Sequence, residues 1–198
     1  MANELELKAV VADPDRLRAA VRQAGGGLRF RGLLRDLRLD REGRLLSVDQ
    51  VLRVRRWIPE AGRERAEIGW KGPTTVNPEG MKEREEIEFG VEDGSTAVQV
   101  FDAMGYRLVQ AIDRFVELYD LDGTQVRIEW YPRMDVLVEI EGDVAGIERA
   151  IRALHLPREQ CLSEALAWFA QRFEERTGQR AVLAEADLDG VPPSWSRA

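Results

Sequence analysis

Charged residues recur in this chain at every second position over short stretches, with apolar residues between them, and this spacing constrains the fold more than any other feature. A period of two is that of a β-strand, whose side chains point alternately to opposite faces. Glu4-Leu5-Glu6-Leu7-Lys8 is the first instance, and Val51-Leu52-Arg53-Val54-Arg55-Arg56 places Arg53 and Arg55 together on one face. The run Ala66-Glu67-Ile68-Gly69-Trp70-Lys71 ends on Lys71, and Lys82-Glu83-Arg84-Glu85-Glu86-Ile87-Glu88-Phe89 sets Lys82, Arg84, Glu86 and Glu88 opposite Ile87 and Phe89. Residues 108–119 hold Arg114, Arg127 and Glu129 alternate with Val126, Ile128 and Trp130, and Val138-Glu139-Ile140-Glu141 repeats the device.

Two architectures satisfy such a pattern. One is an antiparallel sheet with a solvated, salt-bridged outer face. The other closes the sheet into a barrel whose lumen is ionic and whose apolar exterior is covered by amphipathic helices. The segments between the strands supply those helices. Asp13-Pro14 reads as a cap followed by proline at the first helical position, and the stripe Leu17, Ala20, Val21, Ala24 stops at Gly25-Gly26-Gly27. Residues 95–104 form a second short helix, Asp143 caps a third carrying Val144, Ile147, Ile151 and Leu154, and a last helix is predicted over 158–177. Residues 29–57 read as short strand-like pieces around the turn at 41–44, residues 73–80 as a loop, and residues 178–198 as a C-terminal tail with Pro192, Pro193 and Trp195.

Composition narrows the chemistry. With 29 Lys+Arg against 36 Asp+Glu the net charge is −7, which argues against a broad nucleic-acid surface. One cysteine, Cys161, and one histidine, His155, cannot build a zinc site, and they read as a buried hydrophobe and a helix-end residue. No apolar run reaches the length of a membrane span, and the start Met1-Ala2-Asn3-Glu4 lacks a signal-peptide charge pattern, so no membrane association and a cytoplasmic location are expected. Clustered carboxylates suit Mg2+ or Mn2+, while arginine and lysine match phosphate oxygens. Few ligands other than a metal-bound phosphate chain call for both sets.

The residues also carry a family resemblance. Glu4-Leu5-Glu6-Leu7-Lys8 resembles the ExExK signature of the CYTH superfamily, the triphosphate tunnel metalloenzymes, which includes class IV adenylate cyclases, thiamine triphosphatases and inorganic triphosphatases. The likeness continues in order through Leu52-Arg53-Val54-Arg55, Trp70-Lys71-Gly72-Pro73, the 82–88 run, Arg114 and Val138-Glu139-Ile140-Glu141. All three lysines fall inside these matches.

The resemblance implies an α+β fold, a closed eight-stranded antiparallel β-barrel with flanking helices, spanning residues 1–177 as one triphosphate tunnel domain. It implies metal ligands at Glu4, Glu6, Glu129, Glu139 and Glu141, with Glu86 and Glu88 in support. Phosphate would be bound by Lys8, Arg53, Arg55, Lys71, Lys82, Arg84, Arg114 and Arg127, with Lys8, Lys71 and Glu129 as catalytic groups. The cofactor would be Mg2+ or Mn2+, and the partner a triphosphate-containing small molecule: tripolyphosphate, a nucleoside triphosphate or thiamine triphosphate. A homodimer stays open.

Three departures stand out. Where many relatives have D-x-Y-F-D, this chain has Asp36-Leu37-Arg38-Leu39-Asp40, so Arg38 replaces an aromatic hydroxyl. Ile112 stands near a usual lysine, and the glycine expected before the last acidic strand is missing from Met134-Asp135-Val136-Leu137. The expected activity is metal-dependent triphosphate hydrolysis. The alternatives are a class IV adenylate cyclase and a polyphosphate- or nucleotide-binding module without catalysis.

Overall fold

The structure is a computed structural model that describes residues 2–197; Met1 and Ala198, the two ends of the chain, lie outside the described residues. Among the described residues, nine strands run in the order β1 (Ala2–Val10), β2 (Gly27–Asp40), β3 (Val51–Pro59), β4 (Arg65–Lys71), β5 (Thr75–Val76), β6 (Lys82–Val91), β7 (Arg107–Leu121), β8 (Thr124–Trp130) and β9 (Leu137–Glu141). The α-helices among them are α1 (Pro14–Gln23), α2 (Gly94–Ala103), α3 (Val144–Ala153) and α4 (Leu166–Thr177). The sheet order is β1-β9-β8-β7-β2-β3-β4-β6-β5, all antiparallel, and a further β1–β6 pairing closes eight strands into a barrel with β5 as an extra partner of β6.

Register fixes which side of each strand faces inward. Glu6 pairs with Glu141 and with Lys82, Lys71 with Glu86, Arg53 with Arg38 and Gly69, and Arg127 with Glu139. The period-two ionic faces therefore meet across neighbouring strands on one side of the wall. The opposite face carries Leu7, Ala9, Phe115, Val126, Ile128, Val138 and Ile140, which pack with Leu17 and Val21 of α1 and Ile147, Ala150 and Ile151 of α3. The main apolar core thus lies outside the barrel, under the helices. α2 covers Leu39, Leu52 and Val54 in the same way through Ala97.

Local chemistry explains the helix ends. Asp13 accepts from the Arg16 N–H at 3.0 Å with Pro14 at the first helical position, and Asp143 accepts from the Gly146 N–H. Past α3, His155 has φ +55°, exposed in the left-handed position that ends a helix, and Cys161 is buried in the core. Gly32 permits a close crossing: an added Cβ would stand 2.2 Å from the Ile58 carbonyl oxygen.

The structure corrects several element boundaries. Residues 27–40 form one 14-residue strand rather than short pieces, since β3 and β7 pair along both its edges. Thr75 and Val76, read as loop, pair with β6. The helix expected over 158–177 is broken. A 3-10 turn at Arg158–Gln160 precedes α4, because Leu162 exchanges backbone hydrogen bonds of 2.8 and 2.7 Å with Lys8 and is drawn onto β1. The segment beyond Gly178 folds back, with Val182 bridging to Arg133, the Leu183 carbonyl accepting from the Asp113 N–H at 2.7 Å, and Trp195 packing on the main core. No helix among the described residues is long and apolar enough to cross a membrane.

Candidate functional site

The barrel encloses a cavity of about 580 Å³. Its wall includes Lys8, Arg38, Arg53, Arg55, Lys71, Lys82, Arg84, Arg114 and Arg127, nine cations against the six acids Glu6, Asp36, Asp49, Glu129, Glu139 and Glu164. Glu4, Glu86, Glu88 and Glu141 also pair with these cations, so the two signs interleave around the lumen.

One pole is built on Asp36 from β2, which is 2% exposed. Its carboxylate accepts from Arg55 at 2.7 and 3.0 Å and from Arg114 at 3.0 Å, with Arg53 at 3.7 Å. Burial alone would raise the Asp36 carboxyl, but Arg55, Arg114 and Arg53 hold it well below the usual carboxylate range. Arg53 also pairs with Glu88 across Gly69, whose missing side chain leaves room for both. Arg38 donates to Gln110 at 3.0 Å.

The middle of the lumen interleaves both signs. Lys8 lies 2.6 Å from Glu6 and 2.8 Å from Glu139, Lys82 also pairs with Glu6, and Arg127 pairs with Glu139. Glu129, 1% exposed, has one oxygen 3.1 Å from both Arg114 and Arg127 and accepts the Tyr131 hydroxyl on the other. Burial opposes ionisation of Glu6 and Glu129, yet the lysines around the first and the arginines around the second keep both low.

At the other pole Lys71 reaches Glu4 at 2.7 Å and also contacts Glu86, while Glu4 hydrogen-bonds with Glu86 and Glu141. Burial would lift Glu4, but those hydrogen bonds and the Lys71 charge take it far down. Its neighbours bear the opposite effect. Burial and the hydrogen bond with Glu4 push Glu86 up to about 7, and burial and the Glu4 charge push Glu141 up to about 8. These acids are short of positive charge. Arg84 lines the cavity but spends two nitrogens on the Gly72 and Asp49 carbonyls at 2.7 Å, tying the rim.

Among the described residues no three His, Cys, Asp or Glu side chains converge on a point where a metal ion would sit; lysine and arginine engage the lumenal carboxylates instead. The donor set still suits a hard divalent cation, because Glu4 and Glu86 bring hard carboxylate oxygens together around Lys71.

No family model matches the chain. A Methanocaldococcus jannaschii protein named "Putative adenylate cyclase MJ0240" is 24% identical over 160 residues, which is 76% of this chain and 83% of that protein. A solved "putative adenylate cyclase" from Vibrio parahaemolyticus superposes with a TM-score of 0.71 at 17% identity, over 85% of this chain and 97% of its own. The chain shares its fold with that protein. The structure of HpAC1 from Hippeastrum, described as a "putative adenylyl cyclase" with a dominant triphosphatase activity, superposes with a TM-score of 0.61 at 16% identity, covering 94% and 99% of the two chains.

Of the residues that the sequence singles out, this barrel gathers Glu6, Lys8, Arg53, Arg55, Lys71, Lys82, Arg84, Arg114, Arg127, Glu129 and Glu139 around one cavity. Glu4 and Glu86 join it through Lys71, Glu88 through Arg53, and Glu141 through Arg127 at 4.0 Å. Asp36, Gln110 and Tyr131 also line the lumen and were not among the expected site residues. Asp36 shares the inward parity of Arg38, a signal that period-two reading could have followed. Tyr131 lies just beyond the end of β8, where no strand pattern points to it.

Proposed function

We propose that this chain binds a triphosphate chain in its lumen and hydrolyses it as a divalent-metal-dependent triphosphatase. The observation that carries the reading is the convergence of nine cations on one barrel cavity of an acidic protein, six of them, Lys8, Arg53, Arg55, Arg84, Arg114 and Arg127, buried. Protein carboxylates face most of these cations in the unliganded barrel, and the oxygens of a polyphosphate can take that place along its length. The dominant triphosphatase activity of HpAC1 points the same way.

In this reading Arg53, Arg55, Arg114 and Arg127 grip non-bridging oxygens, and Lys8, Lys71, Lys82 and Arg84 complete the clamp and hold the chain in line. Water attacks a terminal phosphorus, the P–O bond to the bridging oxygen breaks with its electron pair going to the departing diphosphate, and the proton that the water loses passes to a phosphate oxygen of the products or to solvent. Lys8 and Lys71 offset the charge that builds on the oxygens. Glu129, fixed by Tyr131, Arg114 and Arg127, presents a carboxylate at one orientation. Mg2+ or Mn2+, held by carboxylates of Glu4, Glu6, Glu129, Glu139 and Glu141 with Glu86 and Glu88 in support, would supply further charge neutralisation at the phosphate oxygens.

A second reading is supported by the Methanocaldococcus and Vibrio proteins, both named as adenylate cyclases in prospect. There the ribose 3′-hydroxyl of ATP attacks the α-phosphorus and diphosphate leaves. One assay separates the two: phosphate and cyclic AMP released from ATP and from tripolyphosphate, each with Mg2+ or Mn2+. Phosphate as the main product is expected, with Lys8→Ala and Glu6→Ala lowering turnover by about 100-fold or more while leaving the circular-dichroism spectrum unchanged. Cyclic AMP would establish the cyclase, and binding without turnover the non-catalytic module. Full activity in both variants would place these residues outside the chemistry.

A further inference from the structure

Among the described residues, Arg38 is the lumenal cation without an ion pair. Its one hydrogen bond among them is to the neutral Gln110 amide oxygen at 3.0 Å, and its Nε is buried without a partner. Among the described residues it makes no ion pair. Its nearest acid is Asp36, which Arg55, Arg114 and Arg53 already share. Arg53 keeps Glu88 and Arg114 keeps Glu129, whereas Arg38 stands beside both guanidiniums with no acid of its own. Burial lowers it to about 10, with the charges of Arg114 and Arg53 acting the same way against the attraction of Asp36.

A partly buried guanidinium in like-charged company is destabilising until an anion arrives. Each such cation on the wall favours ligands that bring one more negative oxygen. Tripolyphosphate is ionised at both ends, whereas a nucleoside triphosphate is esterified at one end and carries one ionisable oxygen fewer. We infer that Arg38, oriented by Gln110, is a specificity-determining residue that tilts the lumen toward phosphate chains with two free ends over those capped by a nucleoside. The inference rests on the lumen being a triphosphate site.

The test compares wild type, Arg38→Gln and Arg53→Gln by calorimetric titration with tripolyphosphate and with ATP in chelator, together with unliganded melting. For Arg38→Gln, a loss of about tenfold or more in tripolyphosphate affinity is expected, with a smaller loss for ATP, so that selectivity shrinks. Its unliganded form should melt at or above the wild-type temperature, because a repulsive charge is gone. Equal losses for both ligands, no loss, or a lower melting temperature would overturn the assignment. If Arg53→Gln loses both ligands while Arg38→Gln matches wild type, Arg38 is excluded and the triphosphate reading survives. Wild type that binds neither ligand would remove both.

Discussion

Asp36→Asn keeps the shape of the residue at the arginine pole and deletes the one negative charge that Arg55, Arg114 and Arg53 share. Removing one member of a buried ion pair costs about 3–5 kcal/mol. Arg53 retains Glu88 and Arg114 retains Glu129, so the main loss falls on Arg55, whose other acid, Glu67, lies at 3.6 Å. The lower end of that range, about 3 kcal/mol, is therefore expected. For a chain of this size it corresponds to a melting temperature lower by roughly 10 °C. Calorimetry on the unliganded variant measures it directly, and saturating tripolyphosphate should restore part of the loss, by about 2.7 kcal/mol at a hundred times its dissociation constant. Acid titration supplies an independent check. The arginines hold Asp36 low against burial, so its contribution is fully present above about pH 4 and is lost as the pH falls further. Stability of the variant should accordingly fall less steeply than wild type below that pH. A melting temperature within about 2 °C of wild type would show that the carboxylate does not hold this pole together.

Glu117, on the outer face of β7, lies 2.9 Å from Arg18 of α1 and 3.2 Å from Arg31 and accepts the Tyr119 hydroxyl at 2.9 Å. Glu117→Gln should destabilise the fold by about 2–4 kcal/mol in urea denaturation and lower the titration of Tyr119, which burial and that hydrogen bond push up to about 12; an unmoved phenol would refute the assignment. Gly32→Ala would bring a Cβ within 2.2 Å of the Ile58 oxygen and 2.7 Å of the Pro59 Cα, both backbone atoms, so a loss of about 3 kcal/mol or more is expected; an unchanged urea midpoint would show that the β2–β3 crossing can yield.

The barrel was legible in the sequence because period-two charge is a property of single strands, each read without its neighbours. Glu4-Leu5-Glu6-Leu7-Lys8 alternates whatever it pairs with, and the ordered motifs around it pointed to the closed barrel that the structure has. What sequence reading missed depends on pairing between distant segments. The extended stretch around Leu162 has the composition of helix, but two backbone bonds to Lys8 override that local preference. Asp36 shows in the sequence only through its parity with Arg38, because the arginines that surround it come from β3 and β7 on either side. Arg38 was noticed as a departure, yet only the structure shows that it has no acid of its own.

The closure of β1 onto both β9 and β6 reaches beyond the lumen to biosynthesis. β1 must wait for residues 137–141 of β9, made well after it, before its second edge is paired. Until then the seam is open, so completion of the wall comes late and couples residues 127–135 positions apart. Shortening the chain at its beginning by even one β-segment would leave two unsatisfied edges facing each other, open to pairing with a neighbouring molecule.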